Sequence, residues 1–238
     1  MESIYRLSLG ALLYSVLRLR KSGIYGLSNI YSDMSDTEFL VSIQNAEQEL
    51  LEKGYGRMDF DGNFMLEKSF AELVGQCAEE RSVLLVDCRK NRHQNRMTCY
   101  LENHVTLMQD GKDCVLCTSE DISQAILDFL QLPDKCKDLK ETCVDSCLVA
   151  GGDISGLVEA GCGPVLAELI VSSAVGKGNY AQLTRIAEQV QVQLLAFAWD
   201  EEGTVSIDVE YTEKEERFHL IPVTAYLAQK QVEAMMVE

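Results

Sequence analysis

Residues 34–77 read MSDTEFLVSIQNAEQELLEKGYGRMDFDGNFMLEKSFAELVGQC, and the expected architecture is built outward from them. Ser35 and Glu38 have the spacing of a capping box at a helix start, and Gly54 supplies a helix stop. Asp61-Gly62 is a hairpin turn signal. The stretch therefore predicts three elements: a helix over Ser35–Lys53, a hairpin over Tyr55–Leu66 and a helix over Ser69–Cys77.

Helix, hairpin and helix in this order are typical of winged-helix proteins that bind DNA. The hairpin, called the wing below, is not basic: Arg57 and Lys68 stand against Asp59, Asp61 and Glu67. A wing that contacts phosphates normally carries Arg or Lys. A winged-helix transcriptional regulator with an α/β sensor domain is therefore kept as the alternative function.

The composition is that of an ordinary globular protein with an acidic surface. The chain has 238 residues, 47% of them hydrophobic, and a formal net charge of -17. Binding to nucleic acid requires many Lys and Arg contacts to phosphates, so the charge argues against a nucleic-acid partner. It suits solubility and a protein partner instead.

The cysteines and the N-terminal segment indicate a cytoplasmic protein. There are nine cysteines, an odd number, mostly within apolar runs, which is typical of reduced thiols in the cytosol. Leu7–Leu19 is apolar but too short to cross a bilayer, and the charges around it are the reverse of a signal peptide's. We interpret Leu7–Arg20 as a buried helix and expect no membrane insertion.

Two similar sets of elements follow. The first set comprises strands at Val83–Cys88, Arg96–Leu101, His104–Met108 and Cys114–Thr118, then a helix through Ile122–Leu130 capped by Thr118 or Asp121. The second set comprises helices at Glu141–Ala150 and Val165–Ala174, strands at Leu183–Ala187, Val192–Trp199, Val205–Tyr211 and Phe218–Ile221, and a helix that follows Pro222 and runs to Met235. Tyr180–Gln191 fits a strand or a helix equally well, and Val205–Tyr211 alternates as a strand with one polar face.

Four strands and a helix thus occur twice, which favours an internal duplication. The predicted fold class is α+β, with a mainly antiparallel sheet built from two quasi-repeated halves, residues 1–132 and 133–238, in one compact unit. The first half also carries the winged-helix-like segment. A plain α+β chain with two strand meanders is the simpler alternative.

No catalytic motif stands out. Cys114-x-x-Cys117 has the spacing of half a zinc site or a redox pair, with Cys143 and Cys147, or Cys136, as possible partners. Buried apolar cysteine is the favoured interpretation, and a metal or redox enzyme is the third hypothesis. The histidines, at 93, 104 and 219, have no nucleophile at a recognisable spacing, and Gly161-Cys162-Gly163-Pro164 lacks the lysine of a phosphate loop. We expect no enzyme activity, cofactor or metal.

One basic cluster interrupts the acidic sequence. It consists of Arg89, Lys90, Arg92, His93 and Arg96 in the loop between the first two strands of the first meander. The cluster is either a solvated hairpin tip or a docking site for an acidic partner segment. The corresponding turn of the second half, Asp200–Gly203, is acidic. If a pseudo-dyad relates the halves, one of two similar faces would bind.

The element order resembles the EspG-type proteins of type VII (ESX) secretion loci. The likeness starts from an apolar first helix, Gly26-Leu27, a capped helix ending in Glu52-Lys53-Gly54, the wing and a helix that leads into strands. It implies two quasi-symmetric α/β halves around an antiparallel sheet. It also implies a cytosolic, non-enzymatic chaperone or adaptor.

The same resemblance implies the kind of partner. It would be a secreted helical protein, either a heterodimer or a helical hairpin, whose exposed apolar tip has to be covered before export. No binding motif of the family can be matched here, so no site residue is transferred. The oligomeric state stays open.

Overall fold

A computed structural model describes residues 3–27, 30–90, 92–135, 141–145, 148–149, 151–159, 164–174, 178–188, 190–201, 203–211 and 216–237. The first part of the chain forms β1 Ile4–Ser8, α1 Leu9–Arg18, α2 Asp36–Glu52, β2 Gly56–Met58, β3 Phe64–Leu66, α3 Lys68–Glu79, β4 Ser82–Lys90, β5 His93–Tyr100, β6 Val105–Asp110, β7 Asp113–Thr118 and α4 Ile122–Leu130. The second part forms β8 Thr142–Asp145, α5 Ile154–Glu159, α6 Pro164–Ala174, β9 Asn179–Ala187, β10 Val190–Asp200, β11 Gly203–Tyr211, β12 Glu216–Val223 and α7 Ala225–Met236.

Ten strands form one sheet in the order β1-β7-β6-β5-β4-β9-β10-β11-β12-β8, and β2 pairs with β3 separately. The registers described for β1–β7, β6–β7, β9–β10, β10–β11, β11–β12 and β12–β8 are all antiparallel. The large antiparallel sheet of the predicted α+β fold is therefore confirmed. The quasi-repeat and the winged-helix relationship stay predictions, although each part does contain an outer strand, helices, a four-strand meander and a closing helix.

The chain divides into two compact units that differ from the halves expected from sequence. One contains Met1–Val83 and Thr98–Glu120, and the other contains Leu84–Met97 and Asp121–Glu238. The chain passes from one unit to the other within β4, within β5 and between β7 and α4. That residues 1–132 and 133–238 form two quasi-repeated halves stays a prediction.

In the first unit, α1 packs against α2 and α3. The capping box is present: Ser35 accepts from the Glu38 amide while the Glu38 carboxylate accepts from Ser35. The wing is held by Phe64, whose ring lies 5.7 Å from that of Tyr14. These contacts confirm the predicted helix, hairpin and helix.

In the second unit, α5 and α6 cover one face of the sheet. The buried apolar cluster there joins Leu157 and Ile170 of these helices to sheet residues Ala198, Ile207 and Leu220. On the other face, α7 packs against α4 and β12. The helix of this unit that sequence analysis missed is α5, which has only six residues between glycine-rich segments.

Two predicted helices are wrong in part, because some of their residues form strands that pair with strands distant in sequence. Ile4–Ser8 is a strand paired with β7, and α1 begins only at Leu9, where the Ser8 side chain accepts from the Ala11 amide. Thr142–Asp145, expected within a helix, pairs with β12 and buries Val144. In both places a strand partner outweighs weak local helix preference.

Three smaller expectations are also decided. The ambiguous stretch Tyr180–Gln191 is a strand through Ala187, and Asp121, not Thr118, caps α4 by accepting from Gln124. The polar face of β11 is covered in part: Ser206 is buried and its hydroxyl accepts from Gln231 of α7 at 3.0 Å. Among the predicted features, 136–140, Cys147 and Gly161–Gly163 lie outside the described residues.

Candidate partner-binding surface

The predicted basic cluster lies on the β4–β5 hairpin of the second unit. Arg89 and Lys90 end β4, and His93 and Arg96 belong to β5. Arg92 lies in the turn with a φ of 69°, the left-handed conformation that tight hairpin turns require. The five residues therefore lie on one hairpin, but only Arg92 is in its turn, whereas the sequence pattern placed all five in the loop.

Their side chains do not form one uniform patch. Arg92 and His93 are exposed, whereas Arg89, Lys90 and Arg96 are half-buried. Successive strand residues point to opposite faces, so Arg89 and Lys90 diverge. Lys90 donates to the Gln131 side chain at the end of α4. The Arg92 guanidinium is thus the cluster's most solvent-exposed permanent charge.

The other two arginines each contact a side chain of this protein: Arg96 contacts Asp87, and Arg89 contacts Tyr180. The Arg96 Nε donates to Asp87 Oδ1 at 2.7 Å, which offsets the charge of that guanidinium. The Arg89 guanidinium lies over the Tyr180 ring, 5.9 Å from its centroid. Such a cation–π contact holds the arginine stem against the sheet.

Tyr180 begins a row of polar side chains along β9. The Tyr180 hydroxyl and Gln182 Oε1 are 3.4 Å apart, and so are Gln182 Nε2 and Thr184 Oγ1. These distances are at the long end of the hydrogen-bond range, so both contacts are weak. The pKa of Tyr180 is raised, because the effect of burial exceeds the opposing effect of the Arg89 charge. The phenol is therefore a neutral hydrogen-bond donor at pH 7.

We call this surface the polar strip; its residues are Asp87, Arg89, Arg96, Tyr180, Gln182 and Thr184. All six are half-buried. Across β9, the residues of β10 in register with Tyr180 and Gln182 are Ala198 and Ala196, which are buried in the apolar cluster with α5 and α6. The polar strip therefore borders a helix-covered apolar part of the same sheet face.

The opposite face of β9 is closed by α7. Arg185 is 7% exposed, and its Nη1 donates to the backbone oxygens of Met235 at 3.0 Å and Met236 at 3.2 Å. A cation at the last carbonyls of a helix is favourable. The polar strip therefore lies on the face of β9 that α7 does not cover.

The alternative sites considered from sequence lack support within the described part of the chain. Cys114 and Cys117 are three residues apart on β7 and so point to opposite faces, which prevents a shared metal ion. Burial raises the pKa of Cys114 to about 11. Among the described residues no group of three His, Cys, Asp or Glu is placed to hold a metal. None of the described helices is long and apolar enough to span a bilayer.

Two acidic side chains of α2, those of Glu47 and Glu49, hold neighbouring elements of the first unit. Glu49 accepts from the Ser8 amide at 2.7 Å, and Glu47 accepts from the Tyr14 hydroxyl at 3.1 Å. In a DNA-binding winged helix, the helix before the wing presents its side chains to the groove. Here that helix uses carboxylates to hold β1 and α1.

The sequence pattern indicates the basic hairpin but not the rest of the polar strip. Tyr180, Gln182 and Thr184 do alternate with the buried Ala181 and Leu183, which is a strand signal. The signal was ambiguous because the surrounding stretch also fits a helix. The Asp87–Arg96 pair could not be predicted without the hairpin register.

The large antiparallel sheet, its helices and the element order define the fold of EspG-type chaperones. Specifically, the chain is similar to the Mycobacterium tuberculosis type VII secretion system chaperone EspG5, solved in complex with the PE25–PPE41 dimer. The TM-score is 0.71 at 10% sequence identity, and the match covers 98% of this chain and 96% of EspG5. The EspG-like fold expected from element order is thereby confirmed.

Comparisons of sequence find no match: no family model matches the chain, and no curated protein matches it.

Proposed function

We propose that this protein is a non-enzymatic cytoplasmic chaperone or adaptor of a type VII-like secretion system, which binds a helical secreted protein. The observation that carries the proposal is the fold likeness to EspG5 along nearly the whole length of both chains. EspG5 is itself a chaperone solved with a bound dimer. At this identity the likeness concerns the fold, so the partner of the present chain is inferred.

The polar strip and the tip of the β4–β5 hairpin are the proposed binding surface. The formal net charge of the chain is -17, so a generally acidic protein is repelled from most of its surface. The exposed Arg92 and the half-buried Arg89 provide a local positive field beside hydrogen-bonding groups. Charge of this kind orients a partner and speeds its association.

The partner chemistry follows from this arrangement. An acidic residue near the tip of a helical pair would contact Arg92, while polar side chains of the same helices exchange bonds with Tyr180 and Gln182. The affinity would come mainly from a few buried anchors, and the arginines would set the orientation.

The test is a charge reversal with a matched control. The tagged protein is purified from its native host, and the associated exported helical protein is identified by mass spectrometry and then used in binding measurements. We expect Arg92→Glu to weaken binding by roughly tenfold, mainly through a slower association rate. Arg57→Glu, the same charge change at an exposed wing residue, should leave binding unchanged.

Two results would contradict the proposal. Recovery of no secreted helical protein in any growth condition would count against the function. Equal weakening by the Arg92 and Arg57 variants would leave the function in place but remove the hairpin as the binding surface.

A further inference from the structure

A cysteine, a histidine and an aspartate lie in one row across the last strands of the second unit. In the antiparallel pairing of β12 with β8, His219 is opposite Cys143, and in the pairing with β11 it is opposite Asp208. The Cys143 Sγ and His219 Nε2 are 3.9 Å apart. Directly opposed residues have Cβ atoms about 4.5–5.5 Å apart, so Asp208 and His219 are neighbours on one face of the sheet.

The row faces away from the apolar cluster. Residues adjacent to it along these strands, Ile207, Leu220 and Val144, are buried in that cluster. By alternation, Asp208, His219 and Cys143 point to the opposite face. Cys143 and Asp208 are exposed and His219 is half-buried, so solutes can reach the thiol. Because β8 is the last strand in the sheet order, no described strand covers its outer edge.

Cys143 differs from the other cysteines for which the structure gives a position. Cys77, Cys88, Cys99 and Cys114 are buried, and Cys117 is half-buried beside the Thr106 hydroxyl. Burial raises the pKa of each of the four buried thiols, which are inert for this reason. Among the described cysteines, Cys143 alone combines exposure with a neighbouring imidazole.

We propose that Cys143 is a reactive thiol that small hydroperoxides oxidise to a sulfenic acid, with His219 as the proton acceptor. The sulfur attacks the terminal peroxide oxygen, so an S–O bond forms as the O–O bond breaks. Sulfur loses two electrons and the peroxide gains them. The thiol proton passes to His219 Nε2 and then to the departing oxygen, so that the products are the cysteine sulfenic acid and water or an alcohol.

Asp208 acts in this proposal as a positioning residue. A carboxylate that accepts from the other ring nitrogen keeps the proton there and leaves Nε2 able to accept the thiol proton. It also stabilises the imidazolium formed during the reaction. Arg217, two residues before His219, is a charged residue on the same face of β12. This inference is independent of the proposed chaperone function.

The test traps the sulfenic acid in the reduced full-length protein. Limiting hydrogen peroxide is added at pH 7 with a dimedone-type reagent, and modified cysteines are located by peptide mass mapping. We expect Cys143 to be labelled about tenfold faster than Cys117, and His219→Gln to remove most of that difference. Cys143→Ser should abolish the label at this position. His104→Asn, which alters an exposed turn histidine, is the control and should react like the wild type.

A measurement at high pH separates proton transfer from a structural effect. At about pH 10 hydroxide in the solvent can accept the proton of an exposed thiol in place of His219, so wild type, Asp208→Asn and His219→Gln should react at equal rates. The proposal is overturned if Cys143 reacts no faster than Cys117 at pH 7. It is also overturned if His219→Gln does not slow the labelling of Cys143 at pH 7. The same holds if this variant is slower than the wild type by the same factor at pH 10 as at pH 7.

Discussion

Two phenylalanines of the first unit, ten residues apart in the chain, differ in burial and therefore in their expected contribution to stability. Phe70 of α3 is fully buried, with its ring 5.0 Å from that of Tyr5 and 5.3 Å from that of Tyr55. Phe60, at the tip of the wing, has a relative exposure of 111%. The sequence pattern marks Phe70 as a core residue because it starts an apolar helix stripe.

Phe70→Ala should lower the free energy of unfolding by about 3–5 kcal/mol, because it removes a buried ring and leaves a cavity. Phe60→Ala, the matched control, should change it by less than about 0.5 kcal/mol. Chemical denaturation followed by circular dichroism measures both. Similar losses for the two variants would show that the wing tip is covered in solution.

The strand β1 shows how an element at a sheet edge is protected. The Ser8 amide donates to Glu49 Oε1 at 2.7 Å, and the Arg6 amide donates to the Tyr55 hydroxyl at 3.2 Å. The Lys53 ammonium donates to the Arg6 carbonyl at 2.8 Å. Side chains thereby satisfy backbone groups that would otherwise be open to pairing with another chain.

Glu49→Ala should cost about 1–3 kcal/mol of stability and increase aggregation, because the Ser8 amide loses its acceptor. Glu52→Ala, an exposed change on the same helix, serves as the control. Thermal unfolding and light scattering give the two readouts. Equal behaviour of the two variants would mean that water replaces the Glu49 carboxylate without loss.

The same carboxylate predicts a pH dependence. Burial acts to raise the pKa of Glu49, but bonds from Lys53 and Ser8 outweigh it and the pKa is lowered. A carboxylate whose pKa is lower in the folded state contributes stability above its unfolded pKa of about 4.3 and loses it as the pH falls through the folded value. The stability difference between wild type and Glu49→Ala should therefore shrink as the pH falls below about 4.

For the whole molecule, the two compact units do not follow the chain in order. The hairpin residues Leu84–Met97 belong with the second unit, where β4 is the neighbour of β9 in the sheet. A cut between residues 132 and 133 would separate these strands. The contact of Arg89 with Tyr180 crosses that cut.

The fragments 1–132 and 133–238 should each be poorly soluble when expressed alone, because the second exposes the edge of β9 and the first leaves β4 without its neighbour. Co-expression should restore soluble protein in a complex of the two fragments, measured by size-exclusion chromatography. Soluble, folded fragments on their own would instead support the halves as independent folding units.

Several features could be predicted because their physical causes lie within a few residues. The capping box at Ser35, the wing turn at Asp61-Gly62 and the buried stripe of α3 depend on local backbone geometry and on periodic apolar residues. Strand alternation and turn signals likewise predicted both meanders. The net charge followed from composition alone and argued against nucleic acid.

The remaining features depend on pairing between distant residues, which local signals do not contain. β1 and β8 are strands because β7 and β12 offer them partners, more than 70 residues away in each case. The polar strip exists because the sheet places β4 beside β9, where Arg89 contacts Tyr180. The Cys143–His219–Asp208 row exists because the registers of β8, β12 and β11 align these three residues. Helix capping, apolar periodicity and charge can be read from neighbouring residues in the chain. Edge strands and side-chain rows form only because strands distant in sequence gain free energy by pairing, and that term depends on the tertiary structure.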